Sequence, residues 1–373
     1  MKKLSLTAWV FILGIGALFL LFLFLPAKDY SATEKRYLAK APTVTWDSLI
    51  SGDVSEAVED YLTDHFPARN LFVGVHAYWD LLTGRNATGS VYHCDDGYLI
   101  RAPEQVSMET LDKNVTRFSA FAQGTGLPAS LIVVPSAGSV LEDLLPANHD
   151  AYPDEEAMEH IYDLAGSLAV LDLYDVFEQE KTSTQLYYKT DHHLTSAGCY
   201  TVYDAYCRSV GLAPLPKAAY TILRSTGFRG TGWSSSGYWL TPADDLELWQ
   251  SGDDLTVTII EAGQEDVVSG SPFFLDNLTA DDQYTVFLDG NHTLVRIDNP
   301  GASTGERLLV LRDSFGHCMA PFLASNYSQI ILVDLRYYRA SVSQLIQDYG
   351  ITQLLFLYGM DSMLTDTNSA WLS

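Results

Sequence analysis

The chain has 373 residues, of which 47% are apolar and 12% aromatic, and 22 Lys and Arg against 47 Asp and Glu give it a formal charge of −25. This length and composition indicate one large globular domain or two, with enough apolar side chains to fill a core. Nucleic acid is excluded as an expected partner, because binding a phosphate backbone requires clustered Lys and Arg.

The N-terminus carries a membrane signal. Lys2 and Lys3 precede an apolar run from Leu4 to Leu25, which is long enough to cross about 30 Å of hydrocarbon. The residues after it contain no small-x-small cleavage site, which favours an uncleaved signal-anchor over a cleaved signal peptide. The two lysines are expected in the cytoplasm, which predicts a single-pass cell-membrane protein whose remaining residues lie outside the cell. The predicted segments are a signal-anchor helix, a stalk and an extracytoplasmic domain: residues 1–28, 29–50 and 51–373.

The first part of the exported chain alternates helical spacing with two short strands. Asp64 and His65, an acid–histidine pair, precede Phe66-Pro67 and are expected to end a helix. An Asp-Asp-Gly turn at 95–97 separates the strands. The predicted helices cover 54–66, 68–82 and 108–125, and the predicted strands cover 90–92 and 97–100.

From residue 131 onward the pattern changes to continuous apolar runs separated by helical spacing. Such runs are typical of parallel strands buried on both faces of a sheet, so an α/β fold is predicted. The predicted strands are 131–134, 169–173, 307–311, 330–333 and 353–357, and the helices are 155–166, 196–210, 315–325 and 340–348. Residues 218–300 are rich in Gly, Ser, Thr and Asp, with an alternating strand at 255–260, and are predicted to be a β-rich insertion.

Two short segments of the sequence contain side chains suited to nucleophilic catalysis. Asp191 and His193 lie two residues apart just before a predicted helix, and Ser314 lies where a buried strand meets the following helix. Ligands bind at the carboxyl ends of such strands. A serine requires a histidine to accept its proton, and an aspartate to fix the histidine tautomer. We therefore predict Ser314 as nucleophile, His193 as base and Asp191 as orienting group, with His192 as the alternate base.

Other interpretations of these residues remain open at this stage. Ser314 and Asp191 also suit helix N-caps, and the paired histidines suit an ordinary surface position. A zinc site formed by Asp191, His193 and His317 is a further alternative, although no HExxH pair supports it. The four cysteines form no CxxC motif, so neither a zinc ribbon nor a redox motif is indicated. No metal and no cofactor are expected.

Two further residues follow the predicted strand at 330–333. Arg336 and Tyr337 are expected at the same carboxyl edge, where they are able to position a substrate hydroxyl or acetyl oxygen. The alternative for Arg336 is an ion pair with Asp334 or Asp313.

Several segments resemble one bacterial family. The segment at 189–195 (KTDHHLT) is similar to the signature of the DHHW protein family, which in turn is similar to the SGNH-hydrolase-like alginate O-acetyltransferases of the AlgX/AlgJ group. The resemblance extends over about 60–340. It is also carried by the segments 61–69 (YLTDHFPAR), 97–100 (GYLI), 312–315 (RDSF) and 334–338 (DLRYY).

The resemblance implies a three-layer sandwich with a mostly parallel sheet, in which an Asp-x-His motif precedes the catalytic serine. Asp191, His193 and Ser314 match that order. Leu194 stands where the family has an aromatic residue, and Arg312 where a small residue is more typical. No asparagine is identified for the side-chain half of the oxyanion hole.

The resemblance and the motifs together define the expected function. We expect a membrane-anchored O-acetyltransferase or acetylesterase that acts on a cell-surface or exported polysaccharide through an acetyl-serine intermediate. A transferase requires an acetyl donor from across the membrane, which implies a multi-pass membrane acyltransferase as partner. The alternative is a non-catalytic cell-envelope protein that retains the fold and binds glycan. The net charge favours a neutral or cationic glycan over an alginate-like polyanion.

Overall fold

The structure is a computed structural model that describes residues 5–103 and 106–372. Lys2 and Lys3, on which the predicted membrane orientation depends, lie outside the described residues. The chain forms two compact units: one runs through Gly89 and includes Ser234–Trp239, and the other comprises Ser90–Trp233 and Leu240 to the C-terminus. The predicted boundaries at residues 28 and 50 stay predictions.

The first unit is mainly helical. Its first helix is 19 residues long, has a mean hydropathy of 2.5 and buries none of its residues, so its length and composition fit both a membrane anchor and a signal sequence. The unit contains α1 (Leu6–Phe24), β1 (Tyr30–Ser31), β2 (Arg36–Tyr37), α2 (Trp46–Ser51), α3 (Asp53–Asp64), α4 (Arg69–Leu82) and β3 (Ala87–Thr88).

Ion pairs fix the segment after α1 against the end of α3. The Arg36 guanidinium donates to both carboxylate oxygens of Asp64, and Ala39 N donates to the same carboxylate at 2.8 Å. Glu34 accepts from Arg36 and from Arg69. The predicted helix end at 64–65 is confirmed, because α3 ends at Asp64.

The second unit is built on an eight-stranded sheet. Five strands are parallel, in the order β14-β13-β15-β6-β7, and β12, β10 and β11 continue the sheet antiparallel beyond β14. The unit contains β4 (Val91–His93), β5 (Leu99–Arg101), β6 (Ala129–Val134), β7 (Ala169–Leu171), β8 (Thr221–Phe228), β9 (Asp244–Gln250), β10 (Thr256–Ile260), β11 (Val267–Ser269), β12 (Leu294–Asp298), β13 (Arg307–Arg312), β14 (Gln329–Val333) and β15 (Gln353–Gly359).

Helices cover both faces of this sheet. One face packs Leu309, Leu311 and Phe356 against α5, α7, α12 and α13, whereas α11 contacts β13 and β15 without joining that cluster. The mixed α/β architecture with a mainly parallel sheet confirms the predicted fold class. The helices of the second unit are α5 (Met108–Thr125), α6 (Ala137–Val140), α7 (Asp154–Leu164), α8 (Tyr174–Glu180), α9 (Ser196–Ser209), α11 (Phe315–Leu323), α12 (Val342–Tyr349) and α13 (Met360–Thr365), and the residues of α10 (Thr231–Ser236) are divided between the two units.

The residues predicted as a β-rich insertion are shared between two sheets. β8 and β9 pair with each other, whereas β10, β11 and β12 extend the central sheet. Trp249 of β9 is 7% exposed and packs against Tyr220 and Phe322, so its ring belongs to the core. All four cysteines are buried free thiols.

Candidate active site

Ser314 lies two residues after the end of β13 and directly before α11, at the carboxyl edge of the parallel sheet. The buried Asp313 fixes this turn, because its carboxylate accepts from the Phe315 N–H at 2.9 Å and from the Gly359 N–H at 2.7 Å. The Ser314 side chain makes no capping hydrogen bond to α11, so the N-cap alternative does not describe its hydroxyl. Within the part of the chain that the structure describes, the Ser314 N–H donates to no protein acceptor.

Asp191 and His193 lie in a turn closed by the antiparallel bridge between Tyr187 and Leu194. The carboxylate of the buried Asp244 accepts from Lys189 N at 3.0 Å and from both Thr190 N and Thr190 Oγ1, at 2.8 and 2.7 Å. Thr195 caps α9, with Oγ1 accepting from Gly198 N at 3.0 Å. The capping role considered for Asp191 therefore belongs to Thr195, which leaves the Asp191 carboxylate available.

The three predicted residues are joined by hydrogen bonds although 121 residues separate His193 from Ser314. His193 Nδ1 lies 2.5 Å from Asp191 Oδ1, and His193 Nε2 lies 2.8 Å from Ser314 Oγ. An ionised carboxylate only accepts hydrogen bonds, so Nδ1 carries the proton and Nε2 is free to accept from the serine hydroxyl. This is the arrangement in which a histidine acts as general base towards a serine.

Neighbouring groups keep Asp191 ionised in spite of its burial. Burial alone would raise its pKa, but the adjacent imidazoles of His192 and His193 and the Thr231 N–H hold the pKa of Asp191 well below its usual range. Thr231 donates twice to Oδ2, from N at 2.7 Å and from Oγ1 at 3.0 Å. Asp191 is therefore an acceptor at both oxygens throughout the physiological pH range.

His193 is held between two rings. The Tyr284 ring stacks on it with centroids 3.9 Å apart and planes 10° from parallel, and His192 lies 3.9 Å away on a tilted plane. His192 Nδ1 donates to Thr231 Oγ1 at 2.8 Å. Burial and the neighbouring His193 lower the pKa of His192, so it is a neutral imidazole. The ring next to Ser314 is that of His193, and the predicted alternate base, His192, binds Thr231.

Sequence reasoning did not find Gly230, Thr231, Asp244 or Tyr284. A Cβ on Gly230 would lie 2.1 Å from the Asp191 Cβ, so only glycine lets this backbone approach the carboxylate. None of these four residues lies within 30 positions of Asp191, and no local motif marks them. Only the tertiary fold brings them together.

Of the two predicted positioning residues, Arg336 lines the cleft and Tyr337 does not. Arg336 lines the cleft at Ser314, with Nη2 2.6 Å from Asp334 Oδ2 and Nε 2.9 Å from Asp334 Oδ1, so the ion-pair alternative is realised as well. Tyr337 is 49% exposed and is not among the residues that line this cleft. The buried Arg312 lies behind the turn, where Nη1 is 3.7 Å from Asp334 Oδ2.

The structure does not support a zinc site formed by Asp191, His193 and His317. His317 Nε2 accepts from Arg312 Nη1 at 2.5 Å, and burial beside that guanidinium lowers the pKa of His317 well below its usual range. The ligand atoms of Asp191, His192 and His193 do lie within 4.8 Å of one another. Asp191 and His193 are, however, already engaged in the hydrogen bonds to Thr231 and Ser314.

An open cleft of about 210 Å³ leads to Ser314. Its walls come from β5, the loop after β6, the Asp191 turn and α13, so several elements of the second unit build it. The polar side chains that line it are Arg101, Ser136, Tyr152, Tyr188, Asp191, His192, Asp313, Ser314, Arg336, Asp361, Ser362 and Thr365. Among the described residues, no asparagine lines this cleft.

Two protein families match the chain, and each match contains some of the three site residues. Residues 95–225, which contain Asp191 and His193, match the SGNH hydrolase-like domain of acetyltransferase AlgX. Residues 265–333, which contain Ser314, match the DHHW protein model. The chain resembles the DHHW proteins. The resemblance expected from the sequence is confirmed.

Solved structures show the same fold over most of the chain. A DHHW family protein from Eubacterium siraeum is 22% identical and covers 77% of this chain and 97% of its own length, with a TM-score of 0.66. Bacillus cereus PatB1, solved with a sulfonyl adduct, is 20% identical and covers 76% and 100%, with a TM-score of 0.63. No curated protein matches the chain. The chain therefore has an SGNH-hydrolase-like α/β fold with a mainly parallel sheet, and residues 95–225 of it are similar to an acetyltransferase domain.

Proposed function

We propose that the chain is an O-acetyltransferase or acetylesterase that acts on a cell-surface or exported polysaccharide through an acetyl-Ser314 intermediate. The observation that carries the proposal is the hydrogen-bonded series Ser314–His193–Asp191, with distances of 2.8 and 2.5 Å, at the end of an open cleft. The match to the SGNH-like domain of an acetyltransferase supports the same reaction class.

In the first half of the reaction His193 Nε2 removes the proton from Ser314 Oγ, and Oγ forms a bond to the acetyl carbonyl carbon. The carbonyl oxygen becomes negatively charged and accepts from the Ser314 N–H, which donates to no acceptor among the described residues. Asp191 stabilises the imidazolium that forms. The intermediate then collapses, the bond to the donor oxygen breaks, and that oxygen takes the proton from His193.

In the second half His193 removes a proton from the acceptor hydroxyl, whose oxygen forms a bond to the acetyl-Ser314 carbonyl carbon. The bond from that carbon to Oγ then breaks, and Oγ takes the proton back from His193. A sugar hydroxyl as acceptor gives acetyl transfer, and water gives hydrolysis. The two reactions use the same residues, so the exclusion of water from the cleft decides between them.

The N-terminal helix supports a location for the protein. We propose that α1 remains as a single-pass anchor in the cell membrane and that the domain with Ser314 is extracellular. The acetyl group must then be supplied on the outer side, for which a multi-pass membrane acyltransferase is the proposed partner. Arg336 is a proposed substrate-positioning residue because it lines the cleft. Tyr337 is half exposed and lies next to Arg336 in the chain. It is also proposed to position substrate, through a contact with the part of the substrate that lies outside the cleft.

The proposal is tested by the hydrolysis of a small acetyl ester by the full chain. We expect Ser314→Ala to reduce turnover by about 10³-fold or more, because the nucleophile is lost. Ser183→Ala is the matched control, since Ser183 is an exposed serine outside the cleft. A sulfonyl fluoride, the reagent class suggested by the adduct in PatB1, should label the wild type and the control but not the Ser314 variant.

The absence of an asparagine from the described cleft lining favours a second candidate, a cell-envelope protein that binds glycan without reacting. This candidate predicts no ester turnover and no sulfonyl labelling of Ser314, together with binding of an acetylated glycan that Ser314→Ala leaves intact. If a chelator abolishes turnover while Ser314→Ala retains it, the site formed by Asp191, His192 and His193 acts through a metal and both candidates are wrong.

A further inference from the structure

The outward side of α4 is apolar. Five large side chains project from it, and all five lie within one arc of about 100° around the helix axis. The exposed fractions of these side chains are 64% for Leu71, 47% for Phe72, 58% for Val75, 64% for Trp79 and 82% for Leu82. These five residues are termed the apolar face of α4. A contiguous exposed patch of this kind is unusual for a surface that faces only water.

The inward side of α4 already has its packing partner. Gly74 and Ala77 face Gly237 and Trp239, where a Cβ on Gly74 would lie 2.6 Å from the Trp239 ring. Trp239 Nε1 donates to Asn70 O at 2.8 Å. The helix is therefore fixed within its unit from one side, and its apolar face is not the side that holds it in the fold.

The apolar face begins where the membrane helix ends. Leu71 lines the same cavity as Phe22 and Leu25, at the C-terminal end of α1. The Phe22 and Tyr61 rings are in edge contact at 6.3 Å, and His65 Nε2 lies 3.2 Å from Lys28 O. The ion pairs of Glu34, Arg36 and Asp64 hold the intervening segment to α3. Within this unit, α4 therefore starts beside the point at which α1 leaves the hydrocarbon.

We propose that the apolar face of α4 lies against the bilayer that α1 enters, with Trp79 and Leu82 among the lipid headgroups. Tryptophan favours this interface, because its ring is apolar and its N–H is polar. Since α4 is about 21 Å long, it holds the unit along the membrane and not only at the single point where α1 emerges. Attraction to anionic lipid does not contribute, because the chain carries a charge of −25.

The inference rests on the membrane anchoring proposed above, so the test must separate the two. The full chain is incorporated singly into phosphatidylcholine nanodiscs, and a nitroxide is attached at one introduced cysteine. The native cysteines are buried, so the unsubstituted chain gives the labelling background. Collision with oxygen, which concentrates in lipid, is compared with collision with a water-soluble nickel complex. Leu13→Cys reports on α1, Val75→Cys on the apolar face, and His76→Cys is the control, exposed about 100° further around α4 than Val75.

We expect the ratio of oxygen to nickel collisions to be high at Leu13→Cys and several-fold higher at Val75→Cys than at His76→Cys. Equal ratios at the two α4 positions, with a lipid-like ratio at Leu13→Cys, overturn the inference but leave the anchor in place. A water-like ratio at Leu13→Cys overturns both. Protection of Val75→Cys from oxygen and nickel alike identifies a protein as the occupant of the face and also overturns the inference.

Discussion

Asp191 and His193 have different tasks although they share one hydrogen bond. Both carboxylate oxygens of Asp191 accept hydrogen bonds, and the pKa of Asp191 is held well below its usual range by the adjacent imidazoles. A carboxylate in this state does not take up the serine proton. It holds the His193 ring in one tautomer and one orientation, so the proton that leaves Ser314 stays on His193.

The fit of Gly230 against Asp191 makes a residue-scale prediction. In Gly230→Ala the new Cβ would lie 2.1 Å from the Asp191 Cβ and 2.3 Å from Oδ2, so the carboxylate must move by about an ångström. We expect the kcat for acetyl-ester hydrolysis to fall by about 10²-fold, because misplacement on this scale has that effect. Gly305→Ala is the control, since nothing lies within 4 Å of its Cβ. Unchanged kcat in Gly230→Ala would show that Asp191 does not orient the base.

The two adjacent histidines give the second prediction. His193→Gln should lower kcat by about 10²–10⁴-fold, because its Nε2 is the atom next to Ser314 Oγ. His192→Gln should have a much smaller effect, since the hydrogen bond of His192 Nδ1 goes to Thr231 Oγ1 and not to Ser314. Turnover by the two variants is compared at saturating ester. A larger loss in His192→Gln would reverse the assignment of the base.

At the scale of elements, the carboxylate of Asp64 ties the segment after α1 to α3. Its hydrogen bonds from Arg36, aided by that from Ala39 N, lower the pKa of Asp64 to about 2, against about 3.9 in an unfolded chain. Because the folded pKa is the lower one, the stabilisation is complete above pH 3.9 and is lost as the pH falls towards 2.

Asp64→Asn should therefore destabilise the first unit at neutral pH by about 1 kcal/mol, a value kept low because the Arg36 side chain is 41% exposed. The difference from the wild type should shrink between pH 4 and pH 2. Asp60→Asn, an exposed position on the same helix, is the control. Thermal unfolding followed across this pH range measures the effect, and a difference that does not depend on pH would contradict the ionic origin.

Elements with a strong local pattern were predictable, and pairings between distant segments were not. The apolar runs at β6, β13, β14 and β15 place these strands without any knowledge of the fold, because both faces of each are buried. The strand at 255–260 was also predicted, but its neighbour in the sheet, β12, is some 35 residues away. The assignment of 218–300 to an insertion did not reveal that β10 and β12 extend the central sheet.

The same distinction between local patterns and distant contacts applies to the candidate active site. Asp191, His193 and Ser314 were found because their residue types and neighbouring elements suit the chemistry. Thr231 and Tyr284 were not, because a threonine that donates to a carboxylate and a tyrosine that stacks on a ring have no sequence signature. The apolar face of α4 was hidden for a related reason: amphipathic spacing identifies a helix but not what covers each of its faces.

At the scale of the whole molecule, the negative charge is unevenly distributed. The stretch 231–295 contains twelve Asp or Glu and no Lys or Arg, whereas two arginines, Arg101 and Arg336, line the cleft at Ser314. The carboxylate of Asp334 already pairs with Arg336. A substrate thus approaches through a negative field and meets a local cation only at the cleft.

The preferred charge of the substrate depends on the distances over which the overall negative charge and the arginines of the cleft act. The field of the whole chain acts during approach and is screened beyond about 10 Å at 0.1 M salt, whereas Arg101 acts only at contact. At low ionic strength we expect kcat/KM for a cationic acetyl ester to exceed that for an anionic one of equal size by several-fold, and the two to converge as salt is added. Arg101→Gln should lower kcat/KM for the anionic ester at every salt concentration without removing the salt dependence. A preference for the anionic ester at low salt that Arg101→Gln abolishes would show that the cleft and not the overall charge selects the substrate.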